Sequence, residues 1–136
     1  MSKNVELISP KGLYQNPAFS QVAVVSGDIT TIYIGGQNAV SPSGEIVGKS
    51  DIATQAKQTL NNVQEALKVA GANLSDVIKW TVYIVSGQLP QPAFQIFQEA
   101  LGGQSKPPLV TVLFVAGLAN PEFLLEVEAI AITKDQ

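Results

Sequence analysis

Val77-Ile78-Lys79-Trp80-Thr81-Val82-Tyr83-Ile84-Val85 is the stretch that decides the fold class. Side chains of an extended strand point alternately to its two faces. Read with that period, Ile78, Trp80, Val82 and Ile84 share one side, with Trp80 in the core, and Lys79, Thr81 and Tyr83 share the other. Upstream the period changes. Between Asp51 and Ala70, the residues Ile52, Ala56, Leu60, Val63, Leu67 and Ala70 recur three or four apart and make one apolar stripe of a helix. Ser50 is the candidate N-cap and Gly71 the candidate C-cap, while Gln58, Asn62 and Glu65 occupy the opposite, solvated face. Downstream, Gln88 to Pro92 reads as a loop, with Pro92 suited to a helix's first turn. A second helix then carries Ala93, Phe94, Phe97, Ala100 and Leu101 until Gly102-Gly103 stops it.

The outer segments are strands. Gln21 to Val25 and Thr30 to Ile34 are β-branched runs around Ser26-Gly27-Asp28, the pattern of a hairpin. Gly35-Gly36-Gln37-Asn38 ends the second run, and Ser41-Pro42-Ser43-Gly44 is a loop. Leu109 to Val115 is almost wholly apolar. From Leu124 to Ile132 the chain alternates, with Leu124, Glu126, Glu128, Ile130 and Ile132 opposed to Leu125, Val127, Ala129 and Ala131. The order is β-β-α-β-α-β-β in one domain spanning residues 1–136, an α+β fold without internal repeats. Two helices cover one sheet face, yet several strands are apolar on both. Other copies of the chain are the simplest cover for the second face, and closed cyclic symmetry is the usual arrangement.

Composition agrees. Apolar residues make up 46% of the chain and charged residues only 14%, with mean hydropathy +0.21. No apolar run approaches the roughly 20 residues of a membrane-spanning helix, and Met1 to Glu6 has no secretion-signal character. A cytoplasmic protein with a large subunit interface is expected. Without cysteine, disulfides, thiolate metal sites and cysteine nucleophiles are excluded. The absence of histidine removes the usual general base and the commonest metal ligand. All 8 basic residues are lysines and the net charge is −3, so no basic footprint for nucleic acid is present. No metal and no cofactor are expected.

Taken in order, Gly35-Gly36-Gln37, the helix with Gln55 and Leu60-Asn61-Asn62-Val63, the strand Val77 to Ile84, and the ending Glu126-Val127-Glu128-Ala129-Ile130-Ala131 resemble the RidA/YjgF family. The resemblance runs from about Asn16 to Thr133. It implies a chorismate-mutase-like fold assembled as a homotrimer, with sheets forming a central barrel, helices outside, and a small-molecule cleft between neighbouring subunits. Many members hydrolyse reactive enamines and imines to a keto acid and ammonia. In those members an arginine in a Pro-x-Arg-Ser segment grips the substrate carboxylate with two parallel donors. A tyrosine after Gly-Pro and a last-strand glutamate complete the cleft, the glutamate helping to position water.

The match is selective. Glu126 stands at the glutamate, Gly36 at the glycine before glutamine, here Gln37, and Gln88 approximately at a loop asparagine. The arginine segment reads Pro107-Pro108-Leu109-Val110-Thr111-Val112, which puts Leu109, or Val110 with a one-residue shift, at the arginine. The Gly-Pro-Tyr segment reads Asn16-Pro17-Ala18-Phe19, without the tyrosine. Lys106 is the nearest cation along the chain, but it reads as a solvated loop residue. The family has a branch lacking the arginine, and this sequence resembles it.

On physical grounds alone, Glu126 and Glu128 share one strand face about 6–7 Å apart. Carboxylates on an apolar strand need partners or water. Glu126 is the candidate acid, base or water holder, whereas Glu128 reads as structural. Gly36, Gln37, Tyr33, Gln88, Leu109 and Val110 are candidate cleft residues, although strand aromatics such as Tyr33, Tyr83 and Phe114 are more often core. The expected function is small-metabolite binding between subunits, with any chemistry a hydrolysis or deamination at C=N or enamine compounds. Alternatives are a true enamine/imine deaminase and a non-catalytic partner-binding or chaperone-like protein.

Overall fold

Alternating burial along Val77–Val85, here β4, sets the layers of the computed structural model, which describes residues 4–102 and 106–135. Trp80, Val82 and Ile84 lie inside, at 5% exposure or less. The elements before it are β1 (Val5–Ile8), β2 (Val22–Val25), β3 (Ile29–Gln37) and α1 (Ile52–Val69). After it come α2 (Gln91–Leu101), β5 (Leu109–Val115) and β6 (Leu125–Lys134). A short 3-10 turn, Leu74–Asp76, leads into β4. The main sheet has the order β3-β6-β4-β5, antiparallel except for the β4–β5 pair.

Both helices cover one face. Ile52, Ala56, Leu60, Val63 and Leu67 of α1 meet Ile32, Ile34, Val127, Ala129 and Ala131 of the sheet in one core. Phe97 of α2 reaches β4 by a tilted contact with Trp80, ring centroids 6.3 Å apart. The other face is open. Tyr33 of β3, Glu126, Glu128 and Ile130 of β6, Lys79, Thr81 and Tyr83 of β4, and Thr111 and Leu113 of β5 point there by register and alternation. Edge strand β5 is exposed from Thr111 through Phe114, on both of its faces.

Several local expectations change. Residues 21–34 do not form a hairpin: β2 pairs with β1, and β3 pairs with β6. The turn at Gly27, φ 84°, lies under the Asn4 side chain, and Ser26 N–H donates to the Asn4 carbonyl. The turn is thereby tied to an amino-terminal strand that the reading from sequence omits. Asp51, not Ser50, caps α1, accepting from Thr54 N–H at 3.2 Å and from its hydroxyl at 2.8 Å. At the other end the C-cap is Ala70, and Gly71 follows with φ 75°. Ile78 leaves the buried face, because a bulge between Val77 and Lys79 places Val77 there, opposite Ala131. Tyr33 and Phe114 are not core, at 76% and 55% exposed. Gly103, half of the expected stop for α2, lies outside the described residues; Gly102 is its C-cap. Among the described residues, no helix is long and apolar enough to cross a membrane.

Candidate functional site

The regular ladder of β3 on β6 breaks where the glycines fall. Ile34 faces Ala129, but the next matched pair is Gln37 with Val127, so β3 carries one extra residue at Gly35-Gly36. The bulge leaves a space that the Glu126 carboxylate fills. A Cβ built on Gly36 would lie 2.2 Å from Glu126 Oε2 and 2.9 Å from Cδ. Only glycine lets the backbone and this carboxylate share the position.

Glu126 is held from the other side by Asn38, whose Nδ2 donates to Glu126 Oε1 at 3.3 Å and to the Leu125 carbonyl at 3.1 Å. Asn38 is itself anchored from α1. Asn62 Nδ2 donates to the carbonyls of Asn38 and Val40, both at 2.9 Å, and Gln58 donates to Asn62 Oδ1 at 2.9 Å. Fully buried Gln55 donates to the Gly48 and Glu122 carbonyls and accepts from Leu124 N–H at 2.9 Å, two residues before Glu126. The face of α1 read as solvated is therefore partly structural, since half-buried Gln58 and Asn62 fasten the loop that holds Asn38.

Across β6, Tyr83 of β4 is the direct neighbour of Glu126. Its hydroxyl donates to Glu128 Oε1 at 3.0 Å. That bond, with desolvation and the charges of Glu128 and Glu126, raises the phenol's pKa above its ordinary value. Glu128 thus pairs with a phenol rather than with a lysine or a backbone amide. Sequence reasoning missed Asn38 as a site residue and set Tyr83 aside as a strand aromatic more often found in the core. For Asn38 the signal was its place directly after the Gly35-Gly36-Gln37 strand end.

Gln88 lies half-buried in the turn after β4. Its N–H donates to the Val85 carbonyl, while Val85 N–H donates to the Leu124 carbonyl, which places this turn at the Glu126 end of the sheet. Gln37 turns its side chain back onto the Gly35 carbonyl at 3.2 Å. Gly36, Gln37, Gln88 and Glu126 are thus gathered at one end. The remaining candidates are elsewhere. Tyr33 faces Ile130, and Leu109 faces Lys79, four positions along β4 from Tyr83 or about 13 Å by strand rise. Val110 faces Trp80 and packs against the core. Buried Ser20 joins that far end to the segment after Asn16-Pro17-Ala18-Phe19: its N–H donates to the Pro108 carbonyl at 3.0 Å and its hydroxyl to Pro107 at 2.6 Å. Lys106 is exposed. Among the described residues, no group of three or more acidic side chains is placed to hold a metal ion.

The family model described as endoribonuclease L-PSP matches residues 12–133. This chain belongs to that family, the RidA/YjgF family of the sequence resemblance. It is 41% identical over 101 residues to a RutC family protein of Pyrococcus horikoshii, covering 74% of this chain and 77% of that protein. It is 32% identical over 114 residues to a human 2-iminobutanoate/2-iminopropanoate deaminase, covering 84% and 79% respectively. Among solved structures, a Yersinia pestis protein of the conserved Rid family, YyfB, whose function is described as unknown, superposes with a TM-score of 0.80 at 34% identity, covering 94% of this chain and 98% of that one. The α+β fold expected from sequence is the fold of these relatives.

Proposed function

We propose that this protein binds a small metabolite in clefts between the subunits of a homotrimer, and that it is a poor 2-imino acid deaminase. One observation carries the reading. The Glu126 carboxylate is fixed in a glycine bulge beside Asn38, while the sequence holds no arginine to grip a substrate carboxylate. Any hydrolysis would use Glu126 to position water.

The separation of Leu109 from Glu126 supports assembly. One chain holds the two halves of the expected cleft at opposite ends of its open sheet face, and a neighbouring copy bringing its Leu109 to this Glu126 closes the pocket. Exposed Tyr33 and Leu113 on that face supply apolar area for such contact.

The test is keto-acid release from 2-aminoacrylate and 2-iminobutanoate generated in situ by a dehydratase, beside an arginine-containing relative. No acceleration over the spontaneous rate is expected. Acceleration comparable to the relative, lost in Glu126→Ala, would establish the deaminase reading instead, which the human relative's name favours. Light scattering at the size-exclusion peak gives the subunit count, and a monomer would remove the inter-subunit cleft.

A further inference from the structure

Strand register turns the open sheet face into a grid. Leu109, Lys79, Ile130 and Tyr33 stand side by side in one row across β5, β4, β6 and β3. Two rows along stand Leu113, Tyr83 and Glu126, and the row between holds Thr111, Thr81 and Glu128. Charge is therefore separated along the face, with a lysine in the Leu109 row and carboxylates in the other two.

Within one chain Lys79 and Glu126 do not meet. Lys79 is half-buried and makes no ion pair among the described residues. It stands four positions along β4 from Tyr83, the neighbour of Glu126, or about 13 Å by strand rise. That exceeds the screening length of about 8 Å at physiological salt. Covering this face with protein strips water from the ammonium and the carboxylates, which is costly unless each finds an opposite charge.

A second copy supplies it. Lys79 is the direct cross-strand neighbour of Leu109, one strand spacing or about 4.8 Å away. A copy that brings Leu109 to Glu126 therefore carries Lys79 along, on a flexible four-carbon stem. We infer that Lys79 of the partner subunit completes the Glu126 site, its ammonium pairing with the Glu126 carboxylate across the interface. The inference rests on the inter-subunit cleft proposed above and names a residue that the second copy contributes. Glu126 has capacity for it, since Asn38 bonds Oε1 alone and a carboxylate offers about four lone-pair sites. An ammonium is a point charge without the paired donors of a guanidinium. Engaged by Glu126, it puts a cation in the cleft but leaves a ligand carboxylate to compete for it, which fits a poor 2-imino acid deaminase.

A double-mutant cycle on the oligomer's dissociation constant, from a dilution series by analytical ultracentrifugation, tests the pair. Lys79→Met and Glu126→Gln remove charge and keep approximate shape. Each should weaken assembly by about tenfold or more, and the double variant should be no weaker than the worse single one, because the lost contact is the same. Leu109→Asp, which sets a carboxylate beside Glu126, reports the cleft itself and should weaken assembly by at least about tenfold as well. Additive effects of Lys79→Met and Glu126→Gln, with Leu109→Asp still disruptive, would overturn the Lys79 pairing and leave the cleft standing. A monomeric wild-type chain, or Leu109→Asp assembling as tightly as wild type, would remove the cleft and the pairing together.

Discussion

Gly36→Ala should damage the site while leaving the fold intact, and the geometry gives the size of the effect. The added Cβ would sit 2.2 Å from Glu126 Oε2, where ordinary contact begins at 3.4 Å, so the carboxylate must retreat by at least about 1.2 Å. The atoms in the way end a flexible side chain, and Gly36 has no positive φ that would strain an alanine. The added methyl restricts the unfolded chain, which offsets part of the crowding, so stability should change by less than about 1 kcal/mol, or about 4 °C in melting temperature. Displacement on this scale removes a carboxylate from productive geometry, and any activity that depends on Glu126 should fall about 10- to 100-fold. The Asn38 side-chain amide, bonded to Glu126 Oε1 at 3.3 Å, reports the same movement through its proton–nitrogen NMR resonances. Gly48→Ala is the contrast. There φ is +85° and the Cβ would meet Thr54 Cβ at 2.8 Å and the Gln55 backbone nitrogen at 3.0 Å, so the fold itself should lose at least about 1–2 kcal/mol. Unchanged Asn38 resonances in Gly36→Ala would refute the placement of Glu126 against the bulge.

Gln55→Ala removes three hydrogen bonds linking α1 to Gly48, Glu122 and Leu124; urea unfolding should show a loss of about 2–4 kcal/mol. Thr59→Val should stabilise by about 1 kcal/mol in the same assay, because the fully buried hydroxyl has no partner among the described residues. At the start of α1, bonds from the Thr54 hydroxyl and backbone hold the Asp51 carboxyl below its ordinary pKa. Its contribution to stability is thus complete above the ordinary aspartate value and is lost as pH falls through the lower folded one. The drop in melting temperature between about pH 5 and pH 3 should be smaller in Asp51→Asn than in the wild-type chain.

Periodicity carried the core because it reports burial directly. The stripe from Ile52 to Leu67 and the alternation through Trp80, Val82 and Ile84 exist to fill the space between α1 and the sheet. Partner choice is another matter. The turn at Ser26-Gly27-Asp28 looks the same whether β2 continues onto β3 or returns to β1, and the deciding contact from Asn4 is made by a residue 23 positions away from Gly27. Bulges hide for the same reason. One inserted residue at Val77–Lys79 exchanges Ile78 for Val77 on the buried face while leaving a sequence equally apolar at both.

Within the site, the legible part was the charged residue on an apolar strand. Glu126 is conspicuous because a carboxylate there needs an explanation. Its supports are not, since Asn38, Gln55 and Asn62 are amides of a kind common on any surface. Their role appears only when their donors are followed to specific carbonyls. The same bookkeeping gives the missing arginine its meaning. Absence alone says that one grip is gone; beside it, Asn38 commits both amide protons to the Leu125 carbonyl and Glu126, and Tyr83 commits its proton to Glu128, so neither of these neighbours takes over the arginine's role as a donor. A vestigial site would have no reason to keep that carboxylate seated in a glycine bulge and braced from α1, where an apolar side chain at 126 would pack on the open face with no such support.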